Sequence, residues 1–442
     1  MLQFNIQGSL VDYHFNNKGS WFGSLLNKCP SAWLQNKRKA DNAEGLWRIH
    51  DDLYDVTDFI DVHPGGRFWL EETKGTDITE LFESHHVISD VPEMMIKRFK
   101  IREAVGSRRS NYTFDDKGFY RTVKRRVREV LKTIPKKQSY SSFHMDSLMI
   151  ITFILICLTN YISSYSFVIL IGIFTGLSLT SVHNYIHTRD NWRMHYADIL
   201  WFPCRIARIV HIFSHHAFTN TCVDLQLTFS QPIVNVFPQP KGFSVKYLSL
   251  IYTPLLLWPA VTYAAQLLRI LDYWSSKNRK IDKKSFLFLI LPTLTYLFSH
   301  QTLFGALLTW SIITMVESVV FSVLAFTTNH VHPNIYMEGD LTRSEKLDWG
   351  INQLDTVNDR QFVTGNKFLV LISFGDHALH HLFPTLDHGL LHHLYPIVEE
   401  TLKEFNIKGI RMTSHADLFV GFFKRMKIEI PNLDAASLGY TK

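Results

Sequence analysis

The chain has 442 residues, 46% of them hydrophobic and 14% aromatic; this is too long for one small domain, and two or three units are expected. Its formal charge of +6 is modest, and the basic residues gather beside apolar segments, which argues for apposition to a membrane and against nucleic acid. Cys29, Cys157, Cys204 and Cys222 show no close pairing pattern, so reduced thiols facing the cytosol are expected.

Residues 1–40 read as a leader with scattered aromatics (Trp21, Phe22, Trp33) and the basic run Lys37-Arg38-Lys39. The stretch 1–7 is not basic-then-apolar, so membrane insertion is expected to rely on internal segments. Residues 41–107 change to short strand-like runs around Trp47 and Leu53, leading into His63-Pro64-Gly65-Gly66. Proline stops a helix there, and the glycines let the backbone crowd a flat ligand while the histidine points into the pocket. Gly75, Asp77, Thr79 and Phe82 follow, then the pair His85-His86. Residues 108–140 form a basic connector (Arg108-Arg109, Lys124-Arg125-Arg126, Lys136-Lys137) just before an apolar segment, and a place at the cytoplasmic membrane surface is expected for it.

Apolar segments occupy 148–161, 167–179, 247–270, 286–298 and 303–326. Segment 247–270 is interrupted by Pro254, Pro259, Gln266 and Arg269, and the 277–284 loop carries five basic residues that should stay cytosolic. Three histidine clusters lie beside these segments: His183 with His187; His211 with His215 and His216; and His377 with His380 and His381. Residues at 0, +3 and +4 share a helical face because each residue advances about 100°. A metal needs several imidazoles on one face, whereas a satisfied core histidine does not. Imidazole suits zinc, copper and iron alike, and eight histidines imply two ions. To share one site, the second and third clusters must lie on one side of the membrane, so an even number of crossings separates them. That makes 247–270 interfacial or re-entrant and leaves four spans in two hairpins; the alternative makes 247–270 the third span and merges the later segments into one kinked crossing.

On His63-Pro64-Gly65-Gly66 and the Gly75, Asp77, Thr79, Phe82 pattern, residues 41–107 resemble cytochrome b5, more closely the b5 domains fused to lipid-modifying enzymes. That resemblance implies a b-type haem with His63 as one axial ligand. The spacing in fused domains gives His86 as the other, with His85 as the fallback. Two imidazoles fill both axial positions, so such a haem passes electrons and does no oxygen chemistry itself. The region 141–400 resembles the membrane fatty acid desaturase and hydroxylase family, on His211-x-x-x-His215-His216-Ala-Phe-Thr-Asn220 and His380-His381-Leu-Phe-Pro384.

The resemblance implies two non-haem irons held by His183, His187, His211, His215, His216, His377, His380 and His381, with O2 as co-substrate. In relatives an asparagine-histidine region adds to the iron sphere, which nominates His330, with Asn329 and His332 behind it. Glu317, inside a span, lies ten residues before Thr327 as in b5-fused front-end desaturases, and an intramembrane carboxylate is a functional candidate by default. Two departures stand out. The first cluster reads His183-Asn184 where the family has His-Asp, and the third begins with His377 where front-end enzymes have glutamine. His392-His393 echoes the third cluster without its leading histidine; His388, His195, His300 and His415 are assigned to surface or supporting roles.

The expected architecture is therefore a leader (1–40), a small α+β b5-like haem domain (41–107), the connector (108–140), an all-α integral membrane desaturase-type domain (141–400) and a cytosolic tail (401–442). The expected activity is O2-dependent desaturation of a fatty acyl chain, with electrons from NADH through a separate cytochrome b5 reductase. The alternatives are hydroxylation by the same centre, or a membrane-anchored electron carrier with a decayed iron site. The expected setting is the endoplasmic reticulum membrane, with both termini and the metal site cytosolic.

Overall fold

The computed structural model describes residues 28–135, 139–162, 164–276, 283–299, 302–325, 329–343 and 346–433. The leader before residue 28, Lys136, Lys137, His300 and most of the 277–284 loop lie outside them.

The N-terminal domain is built on an antiparallel sheet of β1 (Trp47–Ile49), β2 (Asp52–Tyr54) and β3 (Lys100–Glu103), in that order. Trp47, Ile49 and Tyr54 bury against Ile78 and Phe82, and the helices Arg67–Thr73 and Thr79–His85 carry Leu70 and Phe82 into that cluster. Each apolar side chain so buried contributes about 1.5–3 kcal/mol. The end of the expected leader is also built into the fold. Pro30 presets the first turn of the helix Pro30–Ala40, and Trp33 and Leu34 bury in the same cluster as membrane-domain side chains. From the same helix, Ser31 donates from its N–H and Oγ to Asp272 (2.6 and 3.0 Å).

The connector is tied to the N-terminal domain. Its helix, Phe119–Thr133, buries Phe119, Tyr120, Val123 and Val127 as one stripe. Several of its basic side chains pair with protein carboxylates. Lys124 (2% exposed) pairs with Glu83 at 3.1 Å, Arg121 also reaches Glu83, and Arg128 reaches Glu93 at 2.6 Å. Arg108, just before the helix, pairs with Asp77 and Glu80 (2.8 and 2.5 Å). A charge can leave water when a partner is in place, and the acids of the N-terminal domain supply those partners. Burial alone would raise the Glu83 carboxyl, but His50, Lys124 and Arg121 hold it well below the usual carboxylate range.

Among the described residues of the C-terminal part, three helices are long and apolar enough to cross a membrane: Tyr165–His187, Ser244–Ser275 and Leu303–Ala325. Ser141–Cys157 is apolar but shorter. Helix length thus favours 247–270, expected to be interfacial, over 286–298, whose regular part is only Ile290–Phe298. Pro254 and Pro259 do not end the long helix. Around them its hydrogen bonds reach five residues back over Thr253–Leu257 and three over Trp258–Ala260, which accommodates the missing N–H groups. Tyr165–His187 lies close against Leu303–Ala325 because Gly172 and Gly176 leave room. A Cβ on either would stand 2.5 Å from Val316 Cβ or 2.7 Å from Val320 Cβ.

Candidate metal centre

Three helix ends deliver the histidines. His183 and His187 sit on one face of the last turn of Tyr165–His187. The second cluster lies on Arg208–His216, a helix wound wider than an α-helix. Hydrogen bonds reaching five residues back put positions four and five apart astride one face, so His211, His215 and His216 converge. The third cluster occupies the short helix His377–Leu382. Asp359 Oδ1 accepts from the N–H groups of His377 and Ala378 (2.6 and 3.0 Å), fixing that helix's start, and Tyr395 donates to Asp359 and Asp376 (2.9 and 3.1 Å).

The nitrogens fall into two groups, His183, His187, His211, His216 and His380 in one, and His215, His330 and His381 in the other. His377 joins the second group's edge, its Nε2 lying 2.7 Å from His330 Nε2. In the first group the Nε2 atoms of His183 and His211 are 2.7 Å apart, those of His183 and His187 3.1 Å, and those of His211 and His216 3.2 Å. Ligands about 2.1 Å from one ion and at right angles to each other lie about 3 Å apart, so this spacing is that of a coordination shell.

Neighbouring groups orient several rings through Nδ1: Gln226 holds His211 (2.6 Å), Asp224 holds His215 (2.7 Å), Gln353 holds His381 (2.9 Å), and His330 donates to the Thr356 carbonyl (3.1 Å). Among the described residues, Nε2 of His215 and of His381 are buried without a protein partner. Burial first, then neighbouring histidines, holds His216, His330, His377, His380 and His381 well below the ordinary imidazole range. Burial, joined at His211 by the charge of His215, pushes His211 and His215 down to about 3. All are therefore neutral at pH 7, the state in which imidazole offers a lone pair to a metal. The residues present fit two metal ions.

Of the lesser candidates, Asn329 donates to the Phe374 carbonyl, and His332 faces Asn334 and Asp417. Glu317 is fully buried and neither of its oxygens has a protein partner among the described residues. His388 is the residue sequence reasoning undervalued. It is 2% exposed, its ring lies 4.7 Å from His380 and 5.4 Å from His183, and neither of its ring nitrogens has a side-chain partner. The signal was its place seven residues after His381, in the same turn region as Pro384.

Asn184, the departure in the first cluster, ties this turn to the site. Its Nδ2 donates to Asp387 (3.2 Å) and its Oδ1 accepts from the His388 N–H (2.9 Å). Asn184→Asp therefore sets two carboxylates face to face in a buried site. It is expected to lower stability by about 1–3 kcal/mol and to weaken metal retention. The double change Asn184→Asp with Asp387→Asn should recover much of both, read by thermal unfolding and metal content of the four corners of the cycle.

In the N-terminal domain His63 and His86 face each other, ring centres 6.5 Å apart. Two metal–imidazole bonds of about 2 Å, plus about 1 Å from each nitrogen to its ring centre, span about 6 Å. His63 Nδ1 donates to the Gly66 carbonyl (3.0 Å) and His86 Nδ1 to the Phe82 carbonyl (2.9 Å), leaving both Nε2 atoms free for a metal. His85 instead turns to Trp69, ring centres 5.3 Å apart. The pocket fits a haem iron between His63 and His86.

Beside the histidine cluster runs a cavity of about 450 Å³. His183, His211, His330 and His377 line it together with apolar side chains such as Leu257 and Val261 from the long helix 244–275.

Residues 162–410 match the family model described as "Fatty acid desaturase", and residues 32–105 match "Cytochrome b5-like Heme/Steroid binding domain". The chain is 38% identical over 415 residues to "Cytochrome b5-related protein" of Drosophila melanogaster, covering 92% of this chain and 94% of that protein. It is 25% identical over 437 residues to "Probable Delta(5) fatty acid desaturase C" of Dictyostelium discoideum, covering 85% and 90%. Over 63 residues it is 49% identical to "Cytochrome b5" of Musca domestica, 14% of this chain and 46% of that one. No solved structure matches.

Proposed function

The chain belongs to the fatty acid desaturase family, with a cytochrome b5-like domain ahead of the desaturase domain, and from that premise we propose that it is a membrane-bound, O2-dependent desaturase of a fatty acyl chain, carried on CoA or a lipid, whose fused haem domain feeds a di-iron centre. It is an oxidoreductase of the desaturase type. The observation that carries the finer reading is the convergence of nine histidines beside an apolar cavity. Removing hydrogen from an unactivated methylene is beyond protein side chains, and the irons, when bound, supply the oxidant made from O2.

The chain's own residues do the rest. Gln226, Asp224, Gln353 and the Thr356 carbonyl orient imidazoles. Leu257, Val261 and their neighbours receive an acyl chain, exclude water and hold one stretch of it against His183, His211, His330 and His377. His63 and His86 would hold a haem, which would supply electron transfer there. Electrons come from NADH through a cytochrome b5 reductase, and the protein resides in the endoplasmic reticulum membrane with both termini and the metal site cytosolic. Lipid profiling of cells with and without the chain tests this: a new unsaturated acyl species is expected. A hydroxylated species would move the reading to hydroxylation, and an unchanged profile from protein loaded with haem and iron would end it.

A further inference from the structure

The haem domain and the membrane domain touch where the haem loop meets the first two histidine clusters. Gly66, at φ +111°, has no room for a side chain: a Cβ there would stand 2.2 Å from Asp190 Oδ2. The Asp190 N–H donates to the Gly65 carbonyl (2.8 Å), so the loop that follows His63 is bonded to the chain three residues beyond His187. Arg208 locks the junction. It is 1% exposed and donates to Asp190 (2.5 Å) and to the carbonyls of Ile186 (2.9 Å) and Thr188 (3.1 Å). Its guanidinium lies 4.6 Å from the Trp69 ring centre and 5.1 Å from that of Phe68, both in the haem domain.

Beneath that cation the rings touch in series from His85 to Phe213. Trp69 lies 5.3 Å from His85, the neighbour of His86, and 5.8 Å from Phe213. Phe68 stacks on Phe213 at 5.6 Å with planes 23° apart. Phe213 is 2% exposed and sits between His211 and His215, two residues from each. A second contact lies close by, where Thr385 Oγ1 donates to the His85 carbonyl (3.2 Å) four residues beyond His381.

We propose that Trp69 and Phe213, clamped by Arg208, form the route by which the haem domain passes electrons to the histidine-held irons within one chain. This rests on the desaturase reading above and adds to it the residues that carry the transfer. Per event, the two rings bridge one electron from a ferrous haem, left ferric, to a ferric non-haem iron, left ferrous; no bond is made or broken and no proton moves. Trp69 and Phe213 are not themselves oxidised. They fill with packed atoms a gap that water or empty space would otherwise occupy.

The test uses the full-length holoprotein with haem and non-haem iron both measured. Under anaerobic conditions the haem is rapidly reduced, and its return to the ferric state is followed by absorbance. The wild-type decay should be first-order and independent of protein concentration. Trp69→Leu and Phe213→Leu should each slow it several-fold with haem spectrum and iron content unchanged, while Trp69→Phe should keep most of the rate. A merely structural role would not separate the leucine from the phenylalanine variant at constant loading. If Trp69→Leu loses haem, Phe213→Leu carries the test, since Phe213 lies outside the haem domain. Equal rates in loaded variants, or a wild-type rate that scales with concentration, overturns the route and leaves the desaturase reading standing. Haem without non-haem iron in the wild type overturns both.

Discussion

His381→Ala should empty the membrane domain of iron and abolish lipid modification while the haem spectrum stays as it was. His381 is fully buried, Gln353 orients it, and its Nε2 has no partner but the ligand space it shares with His215 and His330. Loss of a group that merely orients a metal ligand costs roughly 10–100-fold in metal affinity or activity, so loss of the ligand itself should cost at least about 100-fold. Gln353→Ala sets the scale: it should retain iron with reduced affinity and reduced turnover. Iron per chain, haem per chain and product formation, measured on one preparation, decide the matter. Full activity or full iron in His381→Ala would place the metal elsewhere.

The mirror-image result is expected for the haem. His63→Ala should lose the six-coordinate, low-spin spectrum altogether and keep the non-haem iron, because the two sites are built on separate sets of elements. His86→Ala should do the same. His85→Ala should keep the spectrum, since that ring faces Trp69 rather than His63. Activity supported by NADH should disappear in the first two variants. A His86→Ala protein with an unchanged spectrum, beside a His85→Ala protein without one, would reverse the assignment.

What could be read from the sequence was whatever a short stretch specifies by itself. His-Pro-Gly-Gly and the spaced histidines are local patterns, and a helical face or a tight loop turns such spacing directly into direction. Features that depend on distant partners could not be read. The partners of Lys124 and Arg128, Glu83 and Glu93, lie 41 and 35 residues away and cannot be paired with them from the basic run alone. Hydrogen-bond spacing around Pro254 and Pro259 is settled by the surroundings of the long helix, which is why two prolines read as an interruption where the helix continues. His388 lies seven residues after His381, outside the HxxHH spacing, and the Asn184 contacts to Asp387 and the His388 N–H help carry it to His183 and His380. The Asn184 departure, a loss when read along the first cluster alone, becomes half of a pair once Asp387 stands opposite.

Arg205 joins Glu72 of the haem domain (2.8 Å) to Asp272 of the long helix (2.6 Å), and Asp272 also receives Ser31 from the N-terminal helix. A donor pinned in this way does not search for its acceptor. A separate carrier diffusing in the same membrane meets its enzyme at a rate set by the abundance of both, whereas a tethered and docked one has an effective concentration fixed by the architecture of the chain. On the proposed route, turnover per molecule would be independent of how sparsely the protein is scattered in the bilayer. On that route the supply of reducing equivalents from outside, not the meeting of haem with iron, would set the pace.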